Sequence, residues 1–230
     1  MSTGREFTTT ELAKTVVESW EGAPPSILKV VLSLVQLLQH GKPVPPEELA
    51  SATELEVGVA IKLAKRLGAE FDDEGNLVGW GLTLIPTPHK YRVNGHDLYA
   101  WCAADTISFP SILNHTAVIE SPDPISGENV RLTVTPDGIE GLNPSSAVVS
   151  WSLEPDLDNI RGSFCNLTHY FVSRESAAEY VSKHPGLVIV PVEGVFEAAK
   201  ILRDTEAVKS LLEHCRKTNP KTLHVPLQDP

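Results

Sequence analysis

The segment LYAWCAADTISFP, residues 98–110, begins as an apolar, strand-like run and continues into a stretch that can turn helical after Cys102. Within it a thiol and a carboxylate, those of Cys102 and Asp105, stand three residues apart among apolar and aromatic neighbours. At positions i and i+3 of a helix, these two side chains share one face. A carboxylate can take up and return the proton of a thiol, and burial raises the pKa of both groups. The pair therefore has two interpretations: a reactive thiol–carboxylate pair, or a structural cysteine beside a helix-capping aspartate.

The residues before this segment predict helices and one hairpin. Residues 8–20 begin with a capping box from Thr8 to Glu11, and a second helix is predicted from about residue 26 to residue 40. A short helix over 44–53 and a longer one over 54–68 are predicted next, and residues 69–84 alternate around an Asp-Glu-Gly-Asn turn, as a β-hairpin does. Helices followed by a hairpin is the element order of a winged helix. Residues 1–80 are therefore predicted to form a helical, winged-helix-like domain.

After about residue 80 the pattern changes to strands that alternate with turns. The runs 81–101, 116–139 and 146–155 predict strands, and the Asn94-Gly95 pair is a turn signal. The later segments predict a helix over 173–186, a buried strand over 186–194 and closing helices over 194–204 and 205–217, followed by a loosely ordered tail, 219–230. Residues 81–230 are therefore predicted to form a mixed α+β domain with a central, antiparallel-rich sheet.

Charge and hydropathy exclude several classes of partner. The 230 residues carry a net charge of −11, and residues 1–80 alone hold 7 Lys/Arg against 12 Asp/Glu, a local charge of −5. This field repels phosphate backbones, so no nucleic-acid partner is expected. The N-terminal residues lack the apolar core of a signal peptide, and the longest apolar run, residues 27–38, is too short and too interrupted to span a bilayer. We expect a cytoplasmic protein without a membrane partner.

The three cysteines point to a metal that prefers sulfur. They form no CxxC pair, so reduced thiols are expected rather than a disulfide framework. Taken alone, Cys165 looks like a small apolar residue in a strand, Cys215 looks like a surface or half-buried cysteine, and His169 fits either a ligand or a structural histidine. Two thiols from distant segments together with one carboxylate suit a soft, thiophilic metal ion.

Two segments carry a family resemblance. RVNGHDLYAWCAADTISFPSIL, residues 92–113, and RGSFCNLTHYF, residues 161–171, resemble the signature segments of the alkylmercury lyases, also called organomercurial lyases. GNLVGWGLTL before them and SKHPGL after them also look like sequence of this family, so the resemblance runs from about residue 25 to residue 200. It implies a helical, winged-helix-like part that precedes a catalytic α+β domain.

The resemblance also implies roles for individual residues. The position of Cys102 is that of the thiolate that first engages mercury, and the position of Cys165 is that of the second thiol. The position of Asp105 is that of the carboxylate that relays a proton to the leaving carbon, and all three residues are implied ligands of mercury. Some family members have a further cysteine after the second one, where this chain has Asn166. Cys215 has no implied role.

The implied reaction cleaves the carbon–mercury bond of R–Hg–X by protonolysis, giving a hydrocarbon and Hg²⁺ held by two thiolates. No cofactor is implied, since the mercuric ion is the bound product. The implied partners are an organomercurial substrate, small thiols and mercuric reductase as the acceptor of Hg²⁺. Two alternatives remain open: a non-catalytic thiolate trap or sensor for soft metal ions, and a metal-responsive regulator built on the winged helix.

Overall fold

The N-terminal part is helical, as the sequence predicts. The computed structural model describes residues 8–218, so the predicted tail, residues 219–230, lies outside the described residues. The capping box is confirmed, because Oγ1 of Thr8 accepts from the Glu11 N–H at 3.2 Å and the Glu11 carboxylate accepts from the Thr8 N–H at 3.0 Å. The helices of this part are α1 (Thr9–Glu21), α2 (Pro25–Leu38), α3 (Pro46–Thr53) and α4 (Val57–Arg66).

Helix α2 is buried along most of its length. Its residues from Val30 to Leu38 are all buried, and Pro25 occupies the first turn, where a missing N–H costs no hydrogen bond. A helix that is apolar on nearly all sides must be covered on nearly all sides. Helix α2 is covered by α3, by α4, by the C-terminal helix and by the β-hairpin that follows α4 in the chain.

One large antiparallel sheet follows. Its strands are β1 (Glu70–Phe71), β2 (Leu77–Trp80), β3 (Leu82–Thr83), β4 (His89–Val93), β5 (His96–Ala100), β6 (Ala117–Pro122), β7 (Asn129–Val134) and β8 (Ile139–Asn143). They pair in the order β1-β2-β3-β5-β4-β6-β7-β8. The predicted hairpin over 69–84 is confirmed as β1 and β2, and the predicted turn at Asn94-Gly95, with positive φ at both residues, joins β4 to β5.

A smaller sheet and the remaining helices complete the described chain. The smaller sheet has the order β10-β9-β11, with β9 (Val148–Ser152), β10 (Tyr170–Phe171) and β11 (Leu187–Pro191). The helices are α5 (Ala103–Leu113), α6 (Ile160–Ser163), α7 (Arg174–Ser182), α8 (Val192–Arg203) and α9 (Glu206–Thr218). Helix α8 packs on α1 and α5 and so joins the first helix to the helix that follows β5. The α+β class with a large antiparallel sheet is confirmed.

Both parts of the chain share one hydrophobic core. A single cluster of buried residues includes Leu34 and Leu49 from the N-terminal helices, and Ile107 and Val190 from the later part. Strand β3 also connects the β1–β2 hairpin to the rest of the large sheet. The winged-helix likeness and the division at residue 80 remain predictions. Among residues 8–218, no helix combines the length and apolarity needed to cross a bilayer.

The structure corrects two sequence predictions about cysteines. Cys165 lies in a short 3₁₀ turn, Cys165–Leu167, and not in a strand. Cys215 is not at the surface, because only 1% of it is exposed and it belongs to an apolar cluster with Leu32 of α2 and Leu212 of α9. Its Sγ lies 3.9 Å from Oγ of Ser33. The amphipathic face of α9 is thus covered by α2, which a local reading of the sequence does not reveal.

Candidate active site

Cys102 stands where strand β5 changes into helix α5. The Trp101 N–H donates to the carbonyl of Gly81 at 2.7 Å, which extends the sheet pairing by one residue. Cys102 itself has the extended backbone of an N-cap, with φ −152° and ψ 170°, and α5 begins at the next residue. The Ala103 N–H donates to the carbonyl of Thr168 at 3.1 Å. The sheet fixes one side of Cys102, and the segment after Cys165 fixes the other.

Asp105 lies in the first turn of α5 and faces the thiol of Cys102. Sγ of Cys102 donates to Oδ2 of Asp105 at 3.2 Å, as the three-residue spacing predicts for one helical turn. A carboxylate in the first turn also lies near the positive end of the helix dipole. The geometry therefore connects the two groups by a path along which one proton can move.

Cys165 is held by side chains that bind the backbone around it. Oγ1 of Thr168 donates to the carbonyl of Phe164 at 2.8 Å, one residue before Cys165. Oγ of Ser150, on β9, donates to the carbonyl of Leu167 at 2.6 Å and accepts from the His169 N–H at 3.0 Å. These bonds satisfy backbone groups that a strand would have paired, and they fix the 3₁₀ turn.

The structure brings the three residues named in the sequence analysis together. The two Sγ atoms of Cys102 and Cys165 and a carboxylate oxygen of Asp105 all lie within 4.8 Å of one another. Both cysteines are buried, with 0% and 4% of their surfaces exposed, whereas Asp105 is partly exposed. None of the three cysteines of the chain forms a disulfide, and all three lie within residues 8–218. Two sulfurs and one oxygen in this arrangement suit a soft, thiophilic metal.

Burial changes the pKa values of the acidic groups in this cluster. It raises the pKa of the Asp105 carboxyl from 3.8 to about 6, although hydrogen bonds from the thiol and the backbone of Cys102 act in the opposite direction. Burial also raises the pKa of the Cys102 thiol well above its usual range, and the neighbouring thiol of Cys165 adds to this effect. Before a ligand arrives, the Cys102 proton therefore stays on sulfur, and Asp105 titrates close to neutral pH.

A largely apolar cavity of about 620 Å³ opens beside the cluster. Asp105 and Cys165 lie in its wall, together with the rings of Trp101, Trp151 and Phe164. The Trp151 and Phe164 rings meet edge to face, with centroids 4.7 Å apart. This cavity can hold an apolar group of a small molecule against the thiol and the carboxylate.

Other candidate residues lie apart from the cluster. His169 is not part of it: its ring stacks on His89 at a centroid distance of 5.7 Å, and its Nε2 donates to the carbonyl of Asn166 at 3.0 Å. Cys215 lies in the separate cluster between α2 and α9. No motif in the sequence marks Glu70, whose carboxylate accepts a hydrogen bond from Nε1 of Trp101.

The fold and this cluster define a mixed α+β protein with a two-thiol, one-carboxylate site beside an apolar cavity. A family model described as alkylmercury lyase matches residues 82–203. The chain is 41% identical over 170 residues to the alkylmercury lyase of Staphylococcus epidermidis, covering 74% of this chain and 79% of that protein. It is 37% identical over 203 residues to the alkylmercury lyase of Pseudomonas putida, covering 84% and 95%.

The fold has a close solved counterpart. The crystal structure of the mercury-bound form of MerB2 superposes with a TM-score of 0.72 and covers 88% of this chain and 99% of that one. At 24% identity this similarity concerns the fold. The sequence matches, at 41% and 37% identity, show more than the fold: this chain belongs to the alkylmercury lyase family of enzymes.

Proposed function

We propose that this chain cleaves the carbon–mercury bond of an organomercurial R–Hg–X by protonolysis. The products are the hydrocarbon R–H, the acid HX and Hg²⁺ bound by the thiolates of Cys102 and Cys165. The observation that carries the proposal is the distance within the cluster, since two sulfurs and a carboxylate oxygen lie within 4.8 Å of one another. The named activity of the relatives from Staphylococcus epidermidis and Pseudomonas putida supports the same reaction.

The chemistry requires two donors and one proton source. A carbon–mercury bond resists water because a carbanion is a poor leaving group. Two thiolates donate electron density to mercury and weaken this bond, and a proton delivered to carbon as it departs avoids a free carbanion. The three groups of the cluster match these requirements, because soft sulfur prefers mercury and a carboxyl group can carry the proton.

The protons can be followed through the cluster. The thiol of Cys102 already donates to Asp105, so binding of mercury to this sulfur transfers the proton to the carboxylate. When Cys165 adds as the second sulfur, its proton leaves with X, and Asp105 returns the first proton to carbon. Each R–Hg–X thus consumes two thiol protons, one for R–H and one for HX. A carboxyl with a pKa of about 6 suits both uptake and release near neutral pH.

The proposal includes two domains. Residues 1–80 form a helical, winged-helix-like domain without nucleic-acid binding, and residues 81–230 form the catalytic domain. The enzyme works in the cytoplasm without a cofactor, small thiols help to release the product, and mercuric reductase accepts the Hg²⁺. The local charge of −5 over residues 1–80 supports the absence of a nucleic-acid partner.

A non-catalytic trap or sensor for soft metal ions is the second candidate. A trap needs the two sulfurs but does not need a carboxyl that exchanges a proton with one of them. The hydrogen bond from Cys102 to Asp105, and the pKa of Asp105 close to neutral, favour the enzyme.

A turnover assay tests the proposal. The protein is incubated with phenylmercury and an excess of a small thiol, and benzene is measured by gas chromatography. A lyase releases many benzene molecules per chain, whereas a trap binds one equivalent of mercury and releases none. A Cys102→Ser variant is the control for spontaneous protonolysis by the small thiol. Benzene release at the rate of this control would refute the proposal.

A further inference from the structure

The carboxylate of Glu70, on strand β1, lies in the protein interior with partners on both of its oxygens. Its Oε2 accepts from Oγ1 of Thr83 at 2.6 Å and from Nε1 of Trp101 at 3.1 Å. Its Oε1 forms an ion pair with the guanidinium of Arg161. Only 13% of the Glu70 side chain is exposed, so these partners replace most of its contact with water.

Two of these partners stand close in sequence to the two catalytic thiols of the proposed function. Trp101 directly precedes Cys102, and Arg161 lies in α6, four residues before Cys165. The Arg161 guanidinium also lies over the Trp101 ring at 4.7 Å from its centroid. Glu70, Trp101 and Arg161 therefore form a closed set of contacts that joins the segment of one thiol to the segment of the other.

The surrounding backbone leaves room for this carboxylate. A Cβ atom at position 79 would collide with Oε2 of Glu70 and would lie 2.5 Å from Oγ1 of Thr83, so only glycine fits at Gly79. The hydrogen bonds and the charge of Arg161 outweigh the effect of burial and hold the pKa of Glu70 below its usual range. Glu70 is thus a fixed negative charge in a space kept open by Gly79.

We propose that Glu70 is a positioning residue that sets the distance between the thiols of Cys102 and Cys165. It holds Trp101 from one side and Arg161 from another, so that the N-terminus of α5 and the 3₁₀ turn keep one separation. This ion pair is half-buried, with 13% of the Glu70 side chain and 38% of the Arg161 side chain exposed. Such a pair contributes little to stability, because the cost of desolvation offsets the attraction, but it can specify one geometry. The residue acts through its neighbours and does not touch the mercury.

This inference rests on the proposed two-thiol site, and a reagent that measures thiol spacing tests it without turnover. Phenylarsine oxide condenses with two thiols, forms two As–S bonds and releases water. All proteins carry Cys215→Ser, so that every remaining thiol belongs to the site. The apparent affinity for phenylarsine oxide is measured in competition with a small dithiol, by mass spectrometry of the intact adduct.

The test variants are Glu70→Gln and Arg161→Gln, and the matched control is Glu120→Gln. Glu120 also pairs with two cations, Lys90 and Arg131, but on the outer face of the large sheet. We expect the affinity for the arsenical to fall about 10- to 100-fold in both test variants, because a misplacement of about 1 Å has effects of this size in a preorganised site. We expect no change in the control, and partial recovery in Arg161→Lys, which keeps the charge.

The same proteins are assayed for benzene release. Under the proposal kcat falls in both test variants while KM for phenylmercury changes little, since the cavity remains. Wild-type affinity for the arsenical in a folded Glu70→Gln or Arg161→Gln protein would overturn the inference. An equal loss of affinity for the arsenical in Glu120→Gln would also overturn the inference, because it would indicate a general loss of stability. If the unaltered protein releases no benzene, the proposed function fails, while the arsenical affinities still decide the role of Glu70.

Discussion

Replacing Asp105 by asparagine is expected to make the protein more stable and less active. The amide has nearly the same shape as the carboxyl, and its oxygen can still accept the hydrogen bond from Sγ of Cys102. It cannot take up and return a proton. General acid–base catalysis contributes about 10²- to 10⁴-fold to a rate, so we expect benzene release to fall by that factor, or about 3–5 kcal/mol of activation free energy.

The expected gain in stability follows from the raised pKa of Asp105. The native state binds this proton with a pKa of about 6, against 3.8 for the ordinary carboxyl, so it holds more protons than the unfolded chain between these values. Above pH 6 the ionised carboxylate therefore destabilises the native state, by up to about 3 kcal/mol at 1.36 kcal/mol per pKa unit. The penalty disappears as the pH falls through 6 towards 3.8.

Both effects can be measured on one preparation. Urea unfolding of the two proteins at pH 8 and pH 5 gives the free energies of unfolding, and gas chromatography gives the rate of benzene release from phenylmercury. We expect the free energy of unfolding to rise most in the variant at pH 8, and less at pH 5. We also expect the variant to bind one Hg²⁺ per chain in a titration. Unchanged benzene release would refute the proton relay. A variant that loses stability at pH 8 would refute the reasoning from burial.

Three further substitutions test other parts of the structure. Cys165→Ser is expected to abolish benzene release and leave the circular dichroism spectrum unchanged, because a hard hydroxyl cannot replace a thiolate on mercury, and retained turnover would show that one thiol suffices. Cys215→Ser is expected to keep the turnover but lower the free energy of unfolding by about 1–3 kcal/mol, because it buries a hydroxyl among apolar side chains, and an inactive folded protein would place this cysteine in the site. Burial lowers the pKa of His89 from 6.5 to about 3, so the unfolded chain binds more protons than the native state below pH 6.5. The free energy of unfolding should therefore fall by about 2 kcal/mol between pH 8 and pH 5 because of this residue. His89→Asn should remove that part of the loss in urea unfolding, and an equal loss in the variant would contradict the assignment.

Local relations in the site could be predicted from the sequence. The contact between Cys102 and Asp105 follows from their spacing of three residues, once the segment after Cys102 is helical. The capping box at Thr8 and the β1–β2 hairpin depend on a few adjacent residues in the same way. In each case the forces that choose the conformation act between neighbours in the chain.

Long-range relations could not be predicted from residue patterns alone. Cys165 was expected in a strand, but Ser150 on another strand and Thr168 bind the backbone around it and fix a 3₁₀ turn. No local pattern predicts its approach to Cys102, which the preference of a soft metal for two sulfurs and the resemblance to a family imply. The contact of Glu70 with Arg161 spans 91 positions, and neither residue belongs to a recognisable motif. Tertiary contacts of this kind override local preference.

The distance along the chain between the two sulfurs has a consequence for the product state. Cys102 and Cys165 are 63 positions apart in the sequence, yet their side chains share one small cluster. A mercuric ion bound by both sulfurs would close this length of chain into a loop, as a disulfide does. The loss of chain entropy in the unfolded state would then favour the native state by about 4 kcal/mol. The enzyme should therefore resist a protease best when its product is still bound, and should become easier to unfold each time a small thiol removes the ion.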